Sequence, residues 1–293
     1  MARDQTPFRR DLAAFLSDPS AVIGTALVGL VLVVALVAPL ISPQNPFDLT
    51  QLDARDGRLP PGATAPSGGT FWLGTDAHGR DMLAAIFYGL RTSLAVGALS
   101  TLIALAIGAA LGLGAAYLGG RIETVIRRVA EVQLSFPAIL IAVFLLWVLG
   151  QGMGQVIAAL AAVQWAYYAR AARGAARSEM GKEYIEAARC LALAPWRIVF
   201  RHVLPNCMPP LLFVAAVQVA AAIALEATLS FLGLGVPITE PSLGRLIADG
   251  YHDLLSGTYW ISIFPGMALL LLIVSLNLVA DQLEYVLDAR RHR

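Results

Sequence analysis

The chain has 293 residues, of which 58% are apolar and only 14% charged, and its mean hydropathy is +0.69. Soluble domains carry about a quarter charged residues, so this composition excludes an ordinary soluble domain and points to a membrane protein. A net charge of +1 gives no reason to expect a nucleic-acid partner, and the two cysteines, Cys190 and Cys207, supply neither a disulfide framework nor a metal-ligand set.

In chain order, Arg9 and Arg10 precede an apolar run over 21–41. It is longer than the roughly 7–15-residue core of a secretory signal and long enough to cross about 30 Å of hydrocarbon as a helix. We take it as an uncleaved first transmembrane helix. A long segment rich in Pro and Gly follows (42–92), which reads as an irregular surface loop. Toward its end Thr75 or Asp76 is placed to cap a short helix. Met82, Leu83, Ile86, Phe87 and Leu90 suggest that this helix lies in the membrane interface. The second span is expected over 93–118, where Gly108-x-x-x-Gly112 permits close helix packing. The third is expected over about 132–149, the fourth over 155–169, the fifth over 210–232 and the sixth over 260–280. Pro39, Pro137, Pro209 and Pro265 fall near helix ends or kinks.

Charge sets the orientation. With the N-terminus inside, segments 1–20, 119–131, 170–209 and 281–293 hold 16 of the 21 Lys and Arg residues. The excess of basic residues on the cytoplasmic side then places both termini inside. It also makes the polar stretch at 183–206 (EYIEAARCLALAPWRIVFRHVLPN) cytoplasmic. Pro195 divides this stretch. Before it, Ile185, Ala188, Leu191 and Ala192 form an apolar face on a short helix over about 182–193. Glu183, Glu186 and Arg189 lie elsewhere on its surface, and Ala187 leaves the turn unshielded. After it, Pro195 opens a second helix with Trp196, Val199, Phe200 and Val203 on one face. That helix reads as an interfacial strut, which Pro205, Pro209 and Pro210 end before the fifth span. Two readings stand on these residues alone: a basic segment that serves orientation and lipid headgroups, or a knob that fits a cleft on another protein.

Glu226 lies inside the fifth span, where an ionisable group costs a few kcal/mol and faces the bundle or a cavity. It serves either the translocation path or gate, or the structure as a partnered carboxyl. Gln218, two turns below, would line the same path. Four scattered histidines (His78, His202, His252, His292) make no metal site. The only Gly-Lys, Gly181-Lys182, lacks the Gly five positions before it and the following Ser or Thr of a phosphate loop. Any ATP hydrolysis must therefore occur on another chain.

The segment Glu186-Ala187-Ala188, followed by Leu204-Pro205, resembles the EAA loop of importer permeases of the ATP-binding-cassette superfamily. The usual pattern is E-A-A, three residues, G, nine residues, then I-x-L-P. The chain departs from it with Ala192 at the Gly and His202 at the Ile. If the Gly position needs a positive φ, Ala is awkward there; if it is helical, Ala is harmless. Residues 201–206 (RHVLPN) resemble the peptide-branch variant of the motif. Residues 73–81 (LGTDAHGRD), with 88–94 (YGLRTSL), resemble the C-type permease subunit of dipeptide, oligopeptide and nickel importers. The family motif there comprises Gly74, Thr75, Asp76, Gly79, Arg80 and Asp81.

The resemblance implies an all-α polytopic membrane protein with the six-helix, type I importer permease fold. It would comprise an N-terminal tail, first helix and outer loop (1–90), a five-helix permease core with the coupling loop at about 182–206 (91–281), and a cytoplasmic tail (282–293). It implies a homologous B-type permease subunit, two cytoplasmic ATP-binding subunits and an extracytoplasmic substrate-binding protein in a bacterial inner membrane. ATP and Mg would sit on the partners, with no cofactor on this chain. Glu186, Ala187, Ala188, Arg189, Ala192 and Pro205 would dock onto the ATPase. Peptide is the implied substrate, with nickel or another small solute of the same branch as the alternative. A non-transporting scaffold and a self-contained secondary transporter are the readings from other classes. The latter would show an internal repeat, and no convincing one is seen.

Overall fold

The computed structural model describes residues 15–291 apart from 16, 43–44, 47, 49, 51, 66–68, 238 and 252–253. Arg9, Arg10, His252 and His292 lie outside the described residues. The first helix, α1, is Pro19–Ile41, as the apolar run suggests. Asp18 caps it, its carboxylate accepting the Ser20 N–H at 2.8 Å, and Pro19 fills the first turn, where no N–H is needed.

The loop between the first two long helices holds a two-stranded hairpin, β1 (Ala63–Thr64) and β2 (Thr70–Phe71). Neither the expected cap nor the expected interfacial helix forms. Asp81, not Thr75 or Asp76, caps the next helix, its carboxylate accepting the Leu83 N–H at 2.9 Å. That helix, α2, runs unbroken over Met82–Leu118, so the division drawn at residue 90 falls inside it. Its first two turns are not a membrane-surface element, because Met82, Ile86 and Leu90 are buried in the bundle together with Ala84, Ala85 and Tyr88.

The third expected span is broken. Helix α3 (Gly120–Ser135) and helix α4 (Ala138–Leu149) meet at 96°. Pro137 accounts for the break. The residue before a proline is driven out of the helical region, and Phe136 has φ −94° and ψ 143°. Helix α5 spans Met153–Met180, continuing well past the expected end of the fourth span. It packs mainly against α2. The Gly108 and Gly112 pattern makes this contact: a Cβ at either position would meet the backbone oxygen of Trp165 or Ala169 at 2.4 Å.

Helix α6 is Glu183–Cys190. Helix α7 then runs continuously over Pro195–Phe231, so the expected strut and fifth span are one helix. Val199–Val203 forms a π turn just before Pro205, in which the Leu204 N–H reaches back to the Val199 carbonyl, and Pro209 and Pro210 lie inside the helix that follows. Such bulges let a helix absorb irregularity without ending. Helix α8 (Leu243–Tyr251) and helix α9 (Trp260–Arg291) complete the chain. Helix α9 continues through the expected boundary at residue 281.

Among the described residues, four helices are long and apolar enough to cross a membrane: α1, α2, α7 and α9. The bent pair α3–α4 makes five if it counts as one span. A polar layer ties three helices inside the bundle. The Thr101 hydroxyl donates to Gln164 Oε1 and Gln164 Nε2 donates to the Gln218 carbonyl, both at 3.3 Å.

Candidate functional site

Helix α6 is too short to be stable alone, so its order comes from what it sits on. Ile185 and Ala188 are buried at 0% and 5% exposure. They join Ala172 and Ala176 of α5 and Ile198, Val203 and Cys207 of α7 in one apolar cluster. Burying Ile185 alone is worth about 1.5–3 kcal/mol. The expected apolar face is half right. Leu191 is 74% exposed and Ala192 is also exposed, because the helix ends at Cys190 and the face cannot continue.

The ending answers the question that Ala192 posed. Its φ is +53°, in the left-handed region. The Leu193 N–H donates to the Ala188 carbonyl at 3.2 Å and the Ala192 N–H to the Arg189 carbonyl at 2.9 Å. These are the two bonds of a Schellman cap. The position normally held by glycine therefore does use positive φ, and this chain places alanine there.

A polar strap fixes the knob to the bundle. The Tyr184 hydroxyl donates to the Glu179 carboxylate at the end of α5. Asn206 Nδ2 donates to the Tyr184 oxygen at 3.1 Å and to the His202 carbonyl at 2.8 Å. Lys182 pairs with Glu179 at 2.7 Å. Burial, reinforced by the neighbouring Glu179, pushes the Tyr184 hydroxyl up to about 12. Tyr184, Glu179 and Asn206 were not singled out from the sequence. Tyr184 and Glu179 are five residues apart, but the tie to Asn206 spans the turn between two helices.

Thus seated, the knob presents Glu186, Ala187 and Arg189 to solvent, while Ala188 faces the chain's own core. Glu183 and Glu186 lie in the first turn and Arg189 in the last, each of the sign that suits the helix dipole. At the base of α7, Ile198 and Val203 turn inward, while Trp196 and Phe200 are each 63% exposed. The expected strut face is therefore divided. Arg197 lies 5.7 Å from the Trp196 ring centroid. Pro205 is exposed beside the strap.

The motif at 73–81 folds into a buried turn. Thr75 is fully buried; its hydroxyl donates to the Asp56 carbonyl at 2.5 Å and accepts the Leu59 N–H at 2.8 Å. The Thr75 carbonyl accepts from Trp260 Nε1 at 3.1 Å, which ties the turn to the start of α9. Asp76 accepts the N–H groups of His78 and Arg80 at 2.8 and 2.9 Å. Gly74 and Gly79 have φ near +77° and +78°, and a Cβ on Gly79 would stand 2.4 Å from the Asp53 carbonyl oxygen. The motif residues are therefore brought together as a rigid cap over the bundle.

Glu226 and Gln218 are enclosed within the bundle at 0% and 8% exposure. Glu226 accepts from Ser93 of α2 at 3.1 Å and from Ser230 at 2.7 Å. Ser230 lies one turn further along α7, while Ser93 is 133 residues away in sequence. Among the described residues no cluster of His, Cys, Asp or Glu is grouped to hold a metal ion. Cys190 is exposed and Cys207 buried, both as free thiols.

Residues 105–293 match the family of binding-protein-dependent transport system inner membrane components. Residues 6–61 match the N-terminal transmembrane domain of oligopeptide transport permease C. The chain is 34% identical over 286 residues to the di/tripeptide transport system permease protein DppC of Pseudomonas aeruginosa, covering 97% of this chain and 93% of the relative. It is 33% identical over 289 residues to the glutathione transport system permease protein GsiD of Pectobacterium atrosepticum, covering 98% and 92%. Among solved structures, a chain of the MetNI methionine ABC transporter, in an inward-facing conformation, matches with a TM-score of 0.56. The two are 21% identical, and the match covers 70% of this chain and 97% of that one. The chain therefore belongs to the family of binding-protein-dependent transport system inner membrane components, the membrane permeases of ABC importers.

Proposed function

We propose that this chain forms one half of the translocation pathway of an importer for di- or oligopeptides, driven by ATP hydrolysis on partner subunits. The observation that carries the reading is the knob: an eight-residue helix strapped to α5 and α7, whose outward side is Glu186, Ala187 and Arg189. A motor that pushes on this helix moves α5 and α7 with it, because Ile185, Ala188 and the Tyr184 strap leave it little independent motion. Ala188 and Ala192 act by seating and ending the helix, while Glu186, Ala187, Arg189 and the nearby Pro205 make the docking face.

In this reading the chain crosses the membrane six times, with α5 as a span and α3–α4 as a bent one, and both termini are cytoplasmic. A homologous B-type permease supplies the other half of the path. Two ATP-binding subunits carry ATP and Mg and engage one knob each, and an extracytoplasmic binding protein delivers substrate. The names of the relatives, which include di/tripeptide and glutathione permeases, support a peptide substrate over nickel. The test is uptake by the reconstituted complex of labelled dipeptide and of Ni²⁺, each offered with the binding protein. ATP-dependent dipeptide accumulation is expected. Accumulation of Ni²⁺ alone would overturn the substrate assignment, and accumulation of neither would overturn the transport reading.

A further inference from the structure

A cavity between α3 and α5 has no task in the proposal above. The two helices are pinned together at two points. Glu123, only 7% exposed, pairs with Arg173 at 2.7 Å and with Arg177 at 2.9 Å. Further along α3, Gln133 Nε2 donates to the Ala162 and Val163 carbonyls at 2.7 and 2.8 Å. The two pins are about 15 Å apart at the helical rise. Between them a cavity of about 490 Å³ stays open, within the roughly 300–1,000 Å³ of small-ligand sites.

The lining is mixed. It includes apolar side chains, among them Ile126, Leu134 and Ala169, and three guanidinium groups, Arg127, Arg170 and Arg173. Both helices change character at this level. The charges of α3 end at Glu131, and Arg170 is the first charge after the apolar start of α5. In the six-span reading the cavity therefore straddles the boundary between hydrocarbon and headgroups. The three cations differ in what holds them. Arg127 pairs with Glu131 at 2.9 Å, and Arg173 is taken by Glu123. Arg170 is exposed and has neither an ion pair nor a hydrogen bond among the described residues. Its planar fork of donors matches a phosphate bidentately. Glu131 already pairs with both Arg127 and Arg128, so the ammonium group of a peptide finds no free carboxylate here. The apolar lining in turn suits an amphiphile better than a free anion.

We infer that this cavity binds the headgroup of an acidic phospholipid, with Arg170 taking the phosphate and the apolar lining taking the start of the acyl chains. Basic pockets between membrane helices on the cytoplasmic side hold anionic headgroups. The bound lipid fills the gap between the two pins and braces α3 against α5, the helix that leads into the knob. The inference rests on the reading in which α3–α4 and α5 are spans.

The test titrates the complete importer, purified in detergent, with phosphatidylglycerol, phosphatidylcholine, inorganic phosphate or dipeptide. Bound lipid is counted by native mass spectrometry, and amide exchange is followed over residues 126–135. Phosphatidylglycerol is expected to bind and to slow this exchange, while the other three probes leave it unchanged at the same concentration. Arg170→Gln, at an exposed position where the fold should hold, is expected to weaken the phosphatidylglycerol site about tenfold, the size of one hydrogen bond to a charged group. It should also remove the effect on exchange, and Arg170→Lys should retain part of both. Undiminished phosphatidylglycerol binding in Arg170→Gln, or equal slowing by phosphatidylcholine, would overturn the inference. Slowing by inorganic phosphate would assign the cavity to a free anion, and slowing by dipeptide would assign it to substrate; either result overturns the lipid assignment. Failure of the unsubstituted complex to take up dipeptide would refute the importer reading instead, and the lipid count would still decide the occupant of the cavity.

Discussion

Replacing Ala192 with glycine is expected to stabilise the end of the knob. At φ +53° an L-residue in the left-handed region costs about 1–2 kcal/mol. Glycine removes that cost but has more freedom to lose on folding, which offsets about 0.4–1 kcal/mol. The remainder is about 0.5–1 kcal/mol, or roughly two- to fivefold in the local opening equilibrium at about 1.4 kcal/mol per decade. Because Ala192 is exposed, no packing is lost. The readout is amide exchange over residues 188–193, where the Schellman bonds of Leu193 and Ala192 report directly. Slower exchange by that factor is expected for Ala192→Gly. Faster exchange is expected for Ala192→Val, whose β-branched side chain tolerates this backbone poorly. Unchanged exchange in glycine, with valine no worse than alanine, would refute the cap geometry.

Tyr184→Phe removes the hydroxyl that joins Glu179 to Asn206, and should speed exchange of α6 by about tenfold, as for a lost bond to a charged group. Because the Tyr184 hydroxyl is raised to about 12, the strap is fully present below the ordinary tyrosine value of ~10 and is lost only as pH rises through the raised value. Exchange differences between Tyr184→Phe and its parent should therefore be constant across neutral pH; a difference that vanishes by pH ~8 would contradict the assignment. Gly244→Ala places a methyl carbon against the Ala227 carbonyl and is expected to cost about 1–3 kcal/mol by overpacking. Its thermal inactivation in detergent should come at lower temperature than that of Gly154→Ala, a site with nothing within 4 Å. Equal inactivation of the two would show that α8 does not pack this closely on α7.

The knob was legible in the sequence because its information is local: Ile185 and Ala188 at helical spacing, acids first and a base last, and Pro195 to reopen the chain. The first helix and the Gly108–Gly112 contact were legible for the same reason. Continuity was harder to read. Three prolines between 205 and 210 look like a boundary, and nothing in their spacing announces the π turn at Val199–Val203 or that the helix continues past them. Thr75 and Asp76 suit a cap by residue type, and only the buried turn, anchored by Trp260 at a separation of 185 residues, shows that both are already engaged and that Asp81 takes the role. The break at Pro137 was visible as a proline but not as a right-angle bend. The surroundings of Glu226 were half visible, Ser230 by its helical spacing, while Ser93 comes from another helix. Long-range pairing of this kind leaves no periodic trace.

The central claim, that the exposed face of α6 docks onto a soluble motor, is tested most directly by Glu186→Lys in the assembled importer. Glu186 is exposed, so charge reversal should leave the permease folded. The account predicts that the partner ATPases no longer copurify in full stoichiometry and that turnover stimulated by the binding protein is lost. A stoichiometric complex with unaltered stimulated turnover would contradict it.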